Sequence, residues 1–446
     1  MKPYSRYKPS SVEWIREIPE HWEEKKLKYF TEIVLGKMLT NEDKGGYLYK
    51  PYLRAQNVNW ERVNSDDIKK MWFSEKELEQ YRLKANDLLV SEGGEIGRTA
   101  IWRDEIEECY IQNSVHKVTM LHGNAPLYFL YLFLLYGQVG GFESMANKVS
   151  IAHLTREKLK EVLCITPSPE ERISIGRYIQ TKANKIDGLI GKKQRLIELL
   201  KEQRTAIISQ AVTKGLNPDV KMRDSCIEWL GKIPEHWKIK KLNHVINGGL
   251  RNGIFKRREK FGGGTKLVNV INLYKEDFCV NADELERVEI TDKELCDYKV
   301  NAGDIFFVRS SLKREGIGVS ACIKALEEPL VYECHLIKVT PDPKQEDFRY
   351  MINYLNSSIV RDRIISLSYT TTMTTIPQPA LSSLQVALPP VEEQAEIAEH
   401  IESETTRIHN IIYRLNREIE LLQEYRITLV SEVVTGKIDV RAEVTP

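Results

Sequence analysis

The 446-residue sequence contains no run of 18 consecutive apolar residues, so a membrane-spanning helix is not expected. The longest candidate, Leu127 to Val139, is too short. The opening MKPYSRYKPSSVEW has no apolar core of the kind a signal peptide carries. The expectation is a cytoplasmic protein with no membrane partner. Paired cysteines are also missing. The seven thiols, Cys109, Cys164, Cys226, Cys279, Cys296, Cys322 and Cys334, are odd in number, form no CxxC and have no structural-zinc spacing. They read as reduced, mostly buried residues, with no metal site. A charge bias is absent as well: 65 Lys and Arg stand against 64 Asp and Glu. With 42% hydrophobic and 29% charged residues, widespread disorder and collagen-like structure are excluded. The length fits two or three domains.

Catalytic signatures are equally scarce. Gly93-Gly94-Glu95-Ile96-Gly97 is not GxGxxG, and the glycines at 262–264 before Thr265 and Lys266 lack the first glycine of a P-loop. Both read as flexible turns. An amino-methylating enzyme would need Asn/Asp-Pro-Pro-aromatic, but the one Pro-Pro pair, Pro389–Pro390, follows Leu388 and opens a helix. Glu24-Lys25-Lys26 resembles a nuclease Glu-x-Lys only in passing, and reads as surface. His21 and His236 have Trp and Pro neighbours but no Cys or second His nearby, so structure is favoured over metal ligation. No catalytic constellation emerges.

What the chain does have is duplication. VEWIREIPEHWEEKKL at 12–27 returns as IEWLGKIPEHWKIKKL at 227–242, with 10 of 16 positions identical at an offset of 215. PSPEERISIGRYI at 167–179 returns as PPVEEQAEIAEHI at 389–401. A weaker pair is IGRTA at 96–100 and IGVSA at 317–321. A period near 220 is far above solenoid repeats, so the chain is a duplicated domain.

Each copy closes on a long helix. The spacing of Ile179, Ile186, Ile190, Ile197, Leu200 and Ile207 alternates four and three through Ala183, Lys193, Arg204 and Ala211. Adding 222 gives Ile401, Ile408, Ile412, Leu415, Ile419, Leu422 and Leu429, with Thr405, Arg426 and Val433 between and after them. A sustained 3.5-residue period is a coiled-coil seam. Prolines precede each helix, Gly follows it, and Glu170, Glu171, Glu392 and Glu393 suit its positive end. Each would run roughly 65 Å at 1.5 Å per residue. Residues 171–215 hold 10 basic and 4 acidic groups, and 392–437 hold 5 and 10. Charge therefore selects a mixed pair within one chain. Leu189, Leu196, Ile208, Ile411 and Val430 widen the apolar stripe. They either pack on the chain's own domains or form a docking face for partner subunits.

The regions between the helices read as mixed α/β. Strands are expected within 47–60, 87–94, 100–102, 265–274, 304–311 and 336–340, and buried helices over 125–142 and 347–364. Residues 251–266 carry six basic groups and one acidic group. Arg251, Asn252, Lys256, Arg257 and Arg258 would lie on a flexible positive loop, either a phosphate-contacting arm or a solvated surface. Arg309, Ser310, Lys313 and Arg314 resemble it. Asn269 and Asn272 join them, and Arg54, Gln56, Asn57, Asn59 and Arg98 are taken as the corresponding material of the first copy. Arg, Asn and Gln are the side chains that read base edges bidentately. Two DNA-reading modules are the result. A non-DNA coiled-coil scaffold and a stand-alone DNA-modifying enzyme with an atypical site remain alternatives.

The repeated IPEHW openings followed by Lys-Lys-Leu, the two Pro/Glu-started helices and the closing VTGKIDV resemble the specificity subunit of Type I restriction–modification systems. The resemblance covers nearly the whole chain. It implies α/β (α+β) target-recognition domains at 1–160 and 216–385. It also implies spacer helices at 161–215 and, with the C-terminal tail, 386–446, pairing as an antiparallel coiled coil with pseudo-twofold symmetry. Each domain would read half of a bipartite double-stranded DNA target. Two methylation subunits and restriction subunits would be the partners. S-adenosylmethionine, ATP and Mg would reside on those partners, with no cofactor or catalysis on this chain.

Overall fold

In the computed structural model, residues 2–121, 125–145, 153–370 and 372–443 are described; Met1 and the last three residues of the C-terminal tail fall outside them. The chain forms two compact units, Met1–Lys193 with Arg417–Pro446, and Gln194–Asn416. Each unit takes in half of each long helix, rather than leaving the helices as separate bodies. Among the described residues no helix is long and apolar enough to cross a membrane.

The two units repeat one topology. In the first, a four-stranded antiparallel sheet has the order Thr31–Leu35, Val115–Met120, Leu88–Ser91, Thr99–Ile101. In the second the order is Ile246–Asn252, Leu336–Pro341, Ile305–Val308, Ser320–Cys322. Leu88–Ser91, apolar up to its last residue, and the continuously apolar Ile305–Val308 are buried along their whole length, as inner strands covered on both faces require. Beside each lies a three-stranded sheet: Lys69–Phe73, Leu48–Leu53 and Tyr110–Ile111, matched by Glu286–Val288, Phe261–Val268 and Leu330–Tyr332. Glu23–Lys26 pairs with Leu163–Thr166, and Lys238–Lys241 with Gln385–Leu388. These last pairs tie the strand after each IPEHW to the strand before each long helix.

The long helices span Pro169–Lys214 and Val391–Val434. Ile175, Ile179 and Ile186 share the first unit's core with Leu429, Val430 and Val433, around Trp22, Tyr128 and Phe133. Ile208 and Val212 share the second unit's core with Ile397 and Ile401, around Trp237 and Tyr350. In each unit, one end of a helix lies with the opposite end of the other, so the pairing is antiparallel. All seam positions, polar ones included, are buried or half-buried. The widened stripe divides: Ile208 and Val430 are buried in their own unit's core, while Leu189 and Leu196 are exposed.

Several local expectations are corrected. The segment 265–274 is a strand only to Val268 and then turns into a 3-10 helix at Val270–Leu273. Its side chain–backbone box at Asn269 and Asn272 outweighs the β-branched run. The glycines at 262–264 are not a flexible turn but part of the bulged strand Phe261–Val268. Gly264 has φ +88°, and a Cβ there would lie 2.5 Å from the Val288 carbonyl oxygen. The helix expected over 347–364 is two, Phe348–Asn356 and Ser358–Ser366, broken where Ser357 takes an extended conformation and bonds back to Tyr354. Of the cysteines, all free, Cys226 and Cys296 are exposed and only Cys109, Cys164 and Cys322 are fully buried. Cys226 stands at φ +59° in the turn after Met222–Asp224, and Cys296 on the short surface helix Asp292–Asp297, places that sequence spacing does not reveal.

Two stability predictions follow from this packing. Ile179→Asp buries a charge at a fully buried seam position and should cost several kcal/mol in a denaturant melt, whereas Leu189→Asp on the exposed stripe should stay within about 0.5 kcal/mol. Glu346 is buried, and neither carboxylate oxygen has a hydrogen-bond partner among the described residues. Burial raises its pKa from 4.5 to about 8. The folded state therefore holds a proton that the unfolded state releases, and stability falls as pH rises from 4.5 through about 8. Glu346→Gln should remove that loss, so its melting temperature should gain on the parent's progressively across this window.

Candidate nucleic-acid interface

Each unit is built on the same frame. A buried aspartate just before the strand Leu88–Ser91 or Ile305–Val308 is held from the adjacent strand: Thr119 Oγ1 donates to Asp87 at 2.6 Å, and Thr340 and Lys338 bond to Asp304, the lysine at 3.0 Å. A capping box starts each short surface helix, Ser74 with Glu77 and Thr291 with Glu294. A lysine grips each capping glutamate: Lys37 Nζ is 2.5 Å from Glu77, and Lys256 Nζ is 2.8 Å from Glu294. The Lys256 bond holds the Glu294 carboxyl down at about 2.

The frame decides which expected DNA-contacting residues are available. Asn57 is buried. Its Oδ1 accepts the Arg54 amide at 3.1 Å, and its Nδ2 donates to the Asn64 and Asp67 carbonyls. Asn272 is buried in the same way, accepting the Asn269 amide at 2.7 Å. Both are corrected from base-reading to backbone-fastening roles, because a buried side chain whose oxygen is committed to the turn's own backbone is not presented to a base. Asn269 bonds to Glu286 at 3.1 Å. Arg54 is ion-paired with Asp67. Arg98 Nη2 donates to the Ala55 carbonyl at 3.0 Å, so Arg98 supports the 54–57 turn from below. Gln56 and Asn59 are exposed on that turn. The structure thus gathers the first unit's expected residues around one turn.

The second unit's positive segment is less free than expected. Arg251 and Asn252 end the strand Ile246–Asn252, with Arg251 bonded to the Gly248 carbonyl and Asn252 accepting from Gln378 at 2.8 Å. Lys256 is fixed as described, and Lys260 pairs with Glu289 at 2.9 Å. Arg257 and Arg258 are exposed and make no ion pair among the described residues, as do Lys313 and Arg314. The backbone of Arg309 is held at 2.8 Å by the His335 carbonyl, and Ser310 lies 3.4 Å from the Thr375 hydroxyl. Exposed apolar side chains, Phe255 and Leu312, neighbour these cations in sequence. The turn 269–272, not the segment 251–258, is the counterpart of 54–57. Gly36 and Gly253 mark the true register: a Cβ on either would fall within 2.3 Å of the same strand-end carbonyls, Gln112 and Glu333.

Sequence reasoning missed two duplicated locks. The polar seam residues Arg426 and Arg204 each reach the adjoining domain: Arg426 Nη2 is 2.7 Å from Glu61, with Asp187 3.0 Å from the guanidinium, and Arg204 Nη1 is 2.8 Å from Glu276. Burial is the largest single influence on Arg426 and opposes its charge, but Glu61 and Asp187 together outweigh it and raise the pKa. The signal was present, since the arginines are 222 apart and the glutamates 215 apart. The second lock joins His21 to Glu171 at 3.0 Å and His236 to Glu393 at 2.7 Å. The repeated histidine is thus a tether to the start of a long helix, in line with its expected structural role.

A family model described as Type I restriction modification DNA specificity domain matches residues 19–199 and 234–421. The putative type I restriction enzyme MjaX specificity subunit of Methanocaldococcus jannaschii is 24% identical, over 96% of this chain and 96% of its own. The EcoKI specificity subunit of Escherichia coli is 23% identical, over 94% of this chain and 90% of its own. Two solved structures share the fold at 12% identity. One, from a study of complex assembly and conformational transition of the type I R-M system, has a TM-score of 0.69 over 94% of this chain and 99% of that one. The HsdS subunit from Thermoanaerobacter tengcongensis has a TM-score of 0.56 over 94% and 98%.

The two arginine locks should differ in strength. Arg426 and Glu61 are both largely shielded, whereas Glu276 is 65% exposed. Double-mutant cycles with alanine should give a coupling of about 1–3 kcal/mol for Arg426–Glu61 and under about 1 kcal/mol for Arg204–Glu276. Equal couplings would contradict the burial argument.

Proposed function

The chain belongs to the Type I restriction–modification DNA specificity family, and from that premise we propose that each unit reads one half of a bipartite, asymmetric double-stranded DNA target. The observation that carries this reading is one topology built twice with different exposed side chains. The first unit offers Gln56 and Asn59, neutral groups able to bond base edges. The second offers Arg257, Arg258, Lys313 and Arg314. Matching frames give the two modules one scaffold, and unlike surfaces make the half-sites unlike.

On this reading 1–160 and 216–385 are the recognition domains, and the helical segments 161–215 and 386–446 set the half-site spacing. The exposed Leu189 and Leu196 belong to a face for two methylation subunits, with restriction subunits joining the assembly. S-adenosylmethionine, ATP and Mg act on those partners, in the cytoplasm, and this chain contributes recognition without catalysis. The pure chain incubated with duplex DNA, Mg and S-adenosylmethionine should neither methylate nor cleave; turnover would favour the stand-alone enzyme instead.

Phosphate contact and base reading separate experimentally. With the methylation partners present, Arg257→Ala combined with Arg258→Ala should weaken target and non-target binding about equally. It should also flatten log K against log salt by up to roughly 2. Gln56→Ala with Asn59→Ala should instead relax the methylated motif in one half only, read by mapping methylated sites genome-wide. A motif unchanged in both halves would overturn the assignment of the 54–59 turn to base reading.

A further inference from the structure

Three consecutive side chains of the second unit, Glu333, Cys334 and His335, bring a carboxylate oxygen, a thiol sulfur and an imidazole nitrogen within 4.8 Å of one another. They form the turn between the strands Leu330–Tyr332 and Leu336–Pro341. Its backbone is fastened on every side. The Glu333 amide donates to Val268 at 3.1 Å, the Leu336 amide closes the turn on Glu333 at 3.1 Å, and the Arg309 amide donates to His335 at 2.8 Å. The ligand atoms therefore project from a rigid base, which lowers the ordering cost of gathering them around an ion.

We propose that this turn binds a borderline-soft divalent cation of the zinc type. The donor set is the first reason. Sulfur, imidazole nitrogen and carboxylate oxygen together are the ligands Zn²⁺ takes, whereas magnesium and calcium prefer oxygen alone. Three protein ligands leave a fourth tetrahedral position for water. The second reason is a contact already in place: the Cys334 thiol donates to a Glu333 carboxylate oxygen at 3.7 Å, so two of the three ligand atoms stand side by side on the turn. Binding displaces the thiol proton to solvent, leaves a thiolate–metal bond and involves no redox change. Closing from 4.8 Å to the roughly 3–4 Å that ligands keep around zinc is a matter of side-chain rotation on a fixed backbone.

The site is particular to the second unit. The corresponding turn of the first, between Tyr110–Ile111 and Val115–Met120, carries Gln112, Asn113 and Ser114, none of which ligates zinc. The close thiol pair Cys279 and Cys322, at 3.9 Å, has no third ligand of this kind among the described residues and serves as an internal control.

The probe is Co²⁺, titrated into the full-length, reduced, metal-free chain and followed by absorption. One equivalent should produce a thiolate-to-cobalt charge-transfer band with intense tetrahedral d–d bands, both abolished by Zn²⁺. Cys334→Ser should remove the charge-transfer band, and His335→Gln should weaken binding by tenfold or more, on the order expected for losing one of three ligands. Cys279→Ser with Cys322→Ser should leave both bands intact. Metal-free melts of each variant, matching the parent's, keep folding out of the comparison. No band at one equivalent, a band that survives Cys334→Ser, or one that vanishes with Cys279 and Cys322 would overturn the site.

Discussion

The architecture depends on how each compact unit is closed. In the first unit the end of the second long helix arrives at Gly436, which lies against Pro19 and Trp22 of the first IPEHW. In the second unit the end of the first helix arrives at Gly215, against Trp237 and Pro234 of the other IPEHW. Both glycines have φ +75°, the left-handed geometry that ends a helix and that a Cβ disfavours. The histidine of each motif then bonds to the start of the remaining helix, through Glu171 or Glu393. Buried tyrosines repeat the arrangement. Tyr128 donates toward the Ile165 and Val434 carbonyls, and Tyr350 toward Ala387 and Val212. Each unit is thus completed by one helix of its own copy and one of the other.

This exchange makes antiparallel helix pairing a condition of folding each unit rather than an added feature. The seam supplies apolar area, and the closing motifs supply direction. A parallel arrangement would bring the wrong helix end to the Trp–Pro surface. The polar seam residues Arg204 and Arg426 fit the same logic: each is spent on a glutamate of the domain it passes, at the cost of an apolar seam contact. The surfaces this frame leaves free can vary without disturbing closure, which is why two units with one topology expose different side chains.

Much of this was legible in the sequence, and the reason is periodicity and repetition. The 3.5-residue seam, the opposite charges of the two helices and the copied IPEHW depend on residue type at fixed spacing, and each maps directly onto the structure. The residues expected to contact DNA were less legible because hydrogen-bond partners are chosen by tertiary topology. Asn57 and Asn272 have the chemistry of base readers, yet the turn buries them and takes their side-chain oxygens. Lys256 stands in a basic run, yet Glu294, 38 residues on, claims it. Arg257 and Arg258 look no different in sequence, and only the fold shows that they remain exposed. The arginine and histidine locks left a trace, equal offsets between copies, that becomes readable once both partners are known.

The central claim is that each unit is closed by the other copy's helix end, and hydrogen exchange of the full-length Gly436→Val variant tests it most directly. The new side chain would start 2.5 Å from Pro19 at a backbone angle that β-branched residues avoid. The account predicts lost amide protection in peptides from 12–35, 125–145 and 153–190, with peptides from 227–388 still protected. Unchanged protection in the first group, or loss confined to the second, would contradict it.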